Sequence, residues 1–267
     1  MIPFVKAHAC GNDFLVIQED LAGVEPRDRL TRRLCHRNSG IGADGIEFLT
    51  WGEERRGAIR LHNADGSIAE ISGNGTRCAA AWIAYETKAG PGDEIVLETD
   101  AGRRICRIDS RIGAGFQITS SMGVPQVATA NLPLAAGERI EGAVVSTGNP
   151  HFVIFVEQPD FSLNGHTWEK IGEEICNHPA FPQQTNVEFV RLAGRDEIEI
   201  RIYERGVGPT SSSGTGTCAT GSAAIALRGA SRVLRVISPG GPQTVDWRGD
   251  EILLTGPAEL ICFGEAW

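Results

Sequence analysis

The chain has 267 residues with 41% hydrophobic and 22% charged residues, proportions that exclude a disordered or fibrous protein. Its formal net charge of −9 argues against a nucleic-acid groove or an anionic membrane surface as the main partner, because both call for a basic face. No apolar run is long enough to span a bilayer, and the opening "MIPFVKAHACGNDF" has no signal-peptide pattern, so a cytoplasmic protein is expected. The seven cysteines are scattered and odd in number, which fits reduced thiols better than a disulfide framework. No CxxC or HExxH spacing occurs, and no motif implies a metal or organic cofactor.

In chain order, short runs with apolar–polar alternation predict strands at "IPFVKAH", "FLVIQ", "GIEFL", "AIRLH", "EIVLET", "RRICRID" and "FQITSSMG". The pattern resumes with "AVVSTG", "HFVIFVE", "NVEFVRL", "EIEIRIYE", "RVLRVIS" and "EILLTG". Helices are fewer. "PRDRLTRRLCHRNSG" and "FSLNGHTWEKIGEEICNH" carry apolar residues at helical spacing. "RCAAAWIAYETK" and "CATGSAAIALRG" have almost no polar face and predict helices buried against sheet.

Both buried helices follow the same phrase, Ser-Gly-x-Gly-Thr, in "ISGNGTRC" and "SSSGTGTC". Ser72 and Ser213 lie 141 residues apart, as do Asn63 and Glu204, while Gly11-Asn12 and Gly148-Asn149 are 137 apart. Ordered recurrence at nearly one spacing predicts an internal duplication. Two α+β halves are therefore expected: residues 1–118, with 257–267 returning to them, and residues 119–256. A glycine-rich turn opening a helix offers unpaired N–H groups and a positive dipole end to an anion such as a carboxylate. A plain N-cap role for each serine is the simpler alternative.

The ordered set "GNDF", "NADGS", "SGNGTRC", "GNPHFV", "TNVEF" and "ERGVGPTSSSGTGTC" resembles the diaminopimelate epimerase family, as does the closing "LTGPAELICFGE". The resemblance implies two pseudo-symmetric domains, each with β-structure wrapped around a central helix. It also implies a pyridoxal-independent, homodimeric isomerase of amino-acid and lysine biosynthesis. Such an enzyme interconverts L,L- and meso-diaminopimelate, with two cysteines acting as base and acid at the α-carbon. Those catalytic positions are Ser72 and Ser213 here. By the same resemblance, Gly73-Asn74 and Gly214-Thr215 bind the reacting carboxylate. Asn12, Asn63, Asn149 and Asn186, with Glu204 and Arg205, hold the rest of the amino-acid substrate, and His151 assists near the centre. A glutamine that contacts substrate in some members is Gly45 in this chain. Cys78 and Cys218, at the helix starts, are expected to be packing thiols, and Cys10 either a substitute base or an inert buried thiol.

Serine changes the acid–base problem. A thiol ionises near ~8.5, whereas a hydroxyl is nearer the roughly 15.7 of water. The gap of ~7 at ~1.36 kcal/mol each is on the order of 10 kcal/mol, far beyond the ~0.3–2 kcal/mol of a helix dipole. A neighbour must therefore take the serine proton, and His151 and Glu204 are the candidates. Four outcomes stay open: an epimerase, a related isomerase or dehydratase, an amino-acid-binding homologue without turnover, or serines engineered to trap a ligand. The geometric expectation is that hydroxyls at 72 and 213 reach opposite faces of one bound stereocentre.

Overall fold

The computed structural model describes residues 1–52, 54–135 and 137–267. Two compact units emerge, Met1–Ser121 with Thr255–Trp267, and Met122–Leu254.

The first unit begins with β1 (Ile2–Ala9) and β2 (Asn12–Gln18), then α1 (Arg27–Cys35), β3 (Gly45–Trp51), β4 (Arg56–Asn63) and the two-residue β5 (Ile68–Ala69). Next come α2 (Gly73–Glu86), β6 (Glu94–Thr99), β7 (Gly102–Ile112) and β8 (Gly115–Ser121). Cys10 and Gly11 both take positive φ, 53° and 80°, which is the two-residue turn that a right-twisted hairpin such as β1–β2 requires. β2 and β3 run parallel, with α1 as the crossover. The C-terminal strand, Leu253–Ala266, pairs with both β1 and β8 and so closes the sheet into a barrel. α2 fills it, packed against β1, β2, β6 and β8 among others. Cys78, Ala79, Ala80, Ala81, Ile83 and Ala84 are all solvent-excluded. Small residues on every face are what allow strands to surround a helix at close range.

The second unit repeats this plan: β9 (Gln126–Pro133), β10 (Arg139–Ser146), β11 (Pro150–Phe155), α3 (Trp168–Cys176), β12 (Asn186–Leu192), β13 (Glu197–Glu204) and β14 (Gly208–Thr210), then α4 (Gly214–Arg228), β15 (Val233–Ser238) and β16 (Gly241–Asp246). The C-terminal strand is β17. β11 and β12 are again parallel, β12 and β13 antiparallel, β13 and β15 parallel. α4 packs inside β9 to β13, β15 and β16. Element bounds recur at the spacing seen in the sequence: α1 starts at 27 and α3 at 168, β3 at 45 and β12 at 186, β4 at 56 and β13 at 197.

The fold is thus α+β with two pseudo-symmetric halves, each built round a central helix. Four strands have no counterpart among the predicted runs. β5 and β14 are too short to show alternation. β9 is mostly small and polar, with only Val127 and Leu132 as large apolar residues, and β16 carries Pro242, both patterns that strand propensity disfavours.

Candidate active site

Ser72 is the N-cap of α2, with extended backbone, and its Oγ accepts the Gly75 N–H at 3.0 Å. Ser213 caps α4 in the same way, accepting from Gly216 N–H at 3.2 Å. Each serine carbonyl also accepts a threonine hydroxyl from the next turn, Thr76 or Thr217, at 2.7 Å. The repeated Ser-Gly-x-Gly-Thr phrase therefore specifies a doubly fastened helix start.

The second helical residue is tied to the hairpin asparagine in both halves. Asn74 Nδ2 donates to Asn12 Oδ1 at 3.1 Å, and Asn149 Nδ2 donates to Thr215 Oγ1 at 3.2 Å. Around α2 the network continues from Asn12 Nδ2 to Asp44 at 2.7 Å and from the buried Arg77 to Asn74 Oδ1 at 2.6 Å. Asp44 also pairs with Arg37, which bonds Asp13 as well. Burial alone would raise the Asp13 carboxyl, but hydrogen bonds from Arg37 and Lys6 hold it below the usual range.

Around α4 the network runs through His151. Its Nε2 lies 2.8 Å from Asn149 Oδ1 and its Nδ1 lies 2.7 Å from Glu188 Oε1. His151 and Glu188 are both fully buried. Because Asn149 gives its amide N–H to Thr215, its oxygen faces His151, so Nε2 carries a proton. His151 Nδ1 and Glu188 Oε1 are then joined by a second buried hydrogen bond.

The remaining predicted residues sit at strand ends. Asn63 closes β4, where its Nδ2 donates to Ser67 Oγ at 3.1 Å in a turn through Gly66. Asn186 opens β12, accepts the Arg205 N–H at 2.9 Å and donates to the Pro150 carbonyl at 3.1 Å. Glu204 ends β13, half-buried, and its carbonyl accepts the Val207 N–H. Within the first unit Asn12 and Asn74 meet each other beside Ser72, while Asn63 bonds locally. Within the second, Asn149, His151 and Thr215 form one chain with Ser213, and Asn186 with Arg205 forms a separate pair. At Gly45 a Cβ would meet the His62 carbonyl at 2.7 Å, so this backbone has no room for a side chain there. Cys78 and Cys218 are fully buried and Cys10 nearly so; burial pushes the Cys78 thiol far up. None of the seven cysteines forms a disulfide.

Two residues of this neighbourhood carried no sequence-based role. Glu47 of β3 and Glu188 of β12 lie beneath the two helix starts. A Cβ on Gly75 would fall on the Glu47 carboxylate, and one on Gly216 would lie 2.8 Å from Glu188 Oε1. The signal was present in "GIEFL" and "NVEFV", an acid between apolar neighbours of a buried strand, repeated 141 residues later.

Residues 4–128 and 143–261 match the sequence profile of diaminopimelate epimerase. The chain belongs to the diaminopimelate epimerase family. It is 36% identical over 280 residues to a diaminopimelate epimerase of Moorella thermoacetica, covering 98% of each chain. It is equally 36% identical over 278 residues to that of Pelotomaculum thermopropionicum, again with 98% of each covered. The fold extends further. A hydroxyproline epimerase structure from Agrobacterium vitis superposes with a TM-score of 0.75 at 17% identity, covering 98% of this chain and 90% of that one.

Proposed function

We propose that the chain is a cofactor-independent amino-acid epimerase that interconverts L,L- and meso-diaminopimelate by two-base proton transfer at the α-carbon. One observation carries this reading: the helix start expected to hold a catalytic side chain is built twice, with each Ser Oγ held by a backbone N–H at 3.0 or 3.2 Å. Full-length similarity to named diaminopimelate epimerases supports the substrate.

In this reading one serine removes the α-proton and the other returns a proton to the opposite face. Gly73, Asn74, Gly214 and Thr215 hold the reacting carboxylate at helix ends where the dipole favours an anion. Asn12, Asn63, Asn149, Asn186, Glu204 and Arg205 anchor the substrate elsewhere, and His151 and Glu204 are the groups that assist the serines. Half-chains 1–118 with 257–267, and 119–256, serve as the two domains. The enzyme works in the cytoplasm as a homodimer. Reduced cysteines fit that compartment, and Ile261 and Phe263, 51% and 76% exposed on β17, suit a second copy. Among the described residues no helix is long and apolar enough to cross a membrane.

The test is incubation with L,L-diaminopimelate in deuterated water. Deuterium at the α-carbon with formation of the meso isomer is the expected result. Tight binding without exchange would leave a receptor-like protein and refute the enzyme. Ser72→Cys with Ser213→Cys should accelerate exchange, since a thiolate forms far more readily than an alkoxide.

A further inference from the structure

Glu47 and Glu188 have no part in the reading above, yet they share its duplication. Each sits on the third residue of its strand, 141 residues from the other, as Ser72 sits from Ser213. Each faces the central helix of its own unit: Glu47 alternates with Leu49, which packs in the α2 core. Glu47 is 1% exposed and Glu188 is fully excluded from solvent. Both Glu47 oxygens and Glu188 Oε2 lack a hydrogen-bond partner.

Geometry places these carboxyls behind the serines. Glu47, Ser72, Thr76 and Glu70 line one cavity of about 10 Å³ in the first unit, the size that admits one water. Gly75 links the two groups: its N–H holds Ser72 Oγ, and the space its Cβ would occupy is taken by the Glu47 carboxylate. In the second unit, Glu188 Oε1 and Ser213 Oγ lie 2.8 and 3.3 Å from the Cβ position of Gly216. The second glycine of Ser-Gly-x-Gly-Thr is thus needed for the approach of an acid to the helix start.

A buried carboxyl oxygen without a partner is costly, and one stands at the same place in each half, which calls for a use. We propose that Glu47 and Glu188 are proton-relay residues that position and exchange the hydroxyl protons of Ser72 and Ser213. This rests on the epimerase reading. Neither Oγ touches its glutamate, so the relay runs through an intervening water. Where the α-proton leaves, the C–H bond breaks, that proton bonds to Oγ, and the serine's own hydroxyl proton passes through the water to the carboxylate. On the other face a carboxyl returns its proton to Oγ as the hydroxyl hydrogen bonds to the carbanion. One carboxylate is neutralised and the other released, so protons balance and no co-reactant is needed. The relay removes the need for a bare alkoxide, which no dipole could stabilise. Glu188 has His151 as a hydrogen-bond partner; the groups facing Glu47 are Glu70 across the cavity and Cys78 on α2.

Two measurements separate the relay from the reading beneath it. Infrared spectra of wild type and Glu47→Gln assign the Glu47 carboxyl stretch, and Ser72→Ala is expected to shift it. An unmoved band overturns the relay whatever the activity. In the deuterium assay Glu47→Gln should lower kcat by on the order of 10²–10⁴-fold at unchanged KM, with partial rescue by Glu47→Asp. An undiminished kcat also overturns it. A shifted band in a wild-type protein that shows no exchange sinks the epimerase reading and leaves the coupled pair standing.

Discussion

The starts of α2 and α4 have the same plan but partner their buried acids differently. Both have a serine N-cap, a glycine over a buried glutamate, and a second helical residue bonded to a hairpin asparagine. They differ in the strand residues beside the buried acid. His151 of β11 stands beside Asn186 of β12, and the corresponding neighbours in β2 and β3 are Phe14 and Gly45. With His151, Glu188 gains a partner at 2.7 Å; with Phe14, Glu47 has none. Burial accordingly pushes the Glu47 carboxyl up to about 8. Duplication preserved the frame, and the residue at position 14 or 151 in the adjacent strand decides whether the acid has a hydrogen-bond partner.

The largest expected effect breaks the comparison at Glu47. Its ionisation is delayed from 4.5 in an ordinary setting to about 8 in the fold. A carboxyl raised in this way binds its proton more tightly in the folded state. The stability that Glu47 contributes is therefore greatest below pH 4.5 and falls through the window up to about 8. The loss across that window is on the order of 5 kcal/mol. Glu47→Gln keeps the shape and removes the charge, so urea midpoints at pH 5, 7 and 9 should lose this component of the decline. Parallel declines in both proteins would show that Glu47 ionises without cost. Next in size is His151→Phe, which imposes the α2 pattern on α4. Stranding Glu188 beside an apolar ring should cost about 3–5 kcal/mol, read from the same urea midpoints near neutral pH. The complementary Phe14→His should bring Glu47 towards ordinary ionisation.

These contrasts also mark how far the sequence could be read. Alternating runs predicted most strands, and the alanine-rich stretches after the Ser-Gly-x-Gly-Thr phrases predicted both central helices, because patterning is local. The serines and asparagines were legible as motifs and as a resemblance. Their hydrogen bonds were not: that Asn12 meets Asn74, or that His151 spans Asn149 and Glu188, depends on which strands become neighbours. β2 pairs with β3 across a helical crossover, and no short window of sequence encodes that. Glu47 and Glu188 are hidden from a sequence reading because an acid inside a strand ordinarily marks a solvated face. Only the register, with Glu47 on the side of Leu49, turns it inward.

A smaller effect sharpens the comparison at the two glycines. Gly75→Ala drives a methyl onto the buried Glu47 carboxylate. Gly216→Ala meets Glu188 Oε1 at 2.8 Å and Ser213 Cβ at 3.2 Å, contacts that a slight shift relieves. Overpacking of this kind costs about 1–3 kcal/mol, and the first substitution should lie near the top of that range. Truncating the acid in Gly75→Ala/Glu47→Ala should recover much of the loss in thermal melts. Equal costs at the two glycines would mean that the carboxylates are not what excludes the Cβ.

Smallest in stability, and most informative about chemistry, is removal of the caps themselves. Ser72→Ala and Ser213→Ala each delete one hydroxyl acceptor at a helix start, a change worth about 1 kcal/mol. The two caps are nearly alike, at 3.0 and 3.2 Å, so the two losses should be similar in urea titrations. Their effect on α-deuteration should be far larger than so small a loss of stability can explain. A residue serving only as an N-cap leaves turnover of the folded enzyme unaltered when it is replaced. A residue carrying the proton abolishes turnover while most of the protein stays folded. If Ser213→Ala retains full exchange, that hydroxyl is a cap alone, and the chemistry at α4 passes to another group.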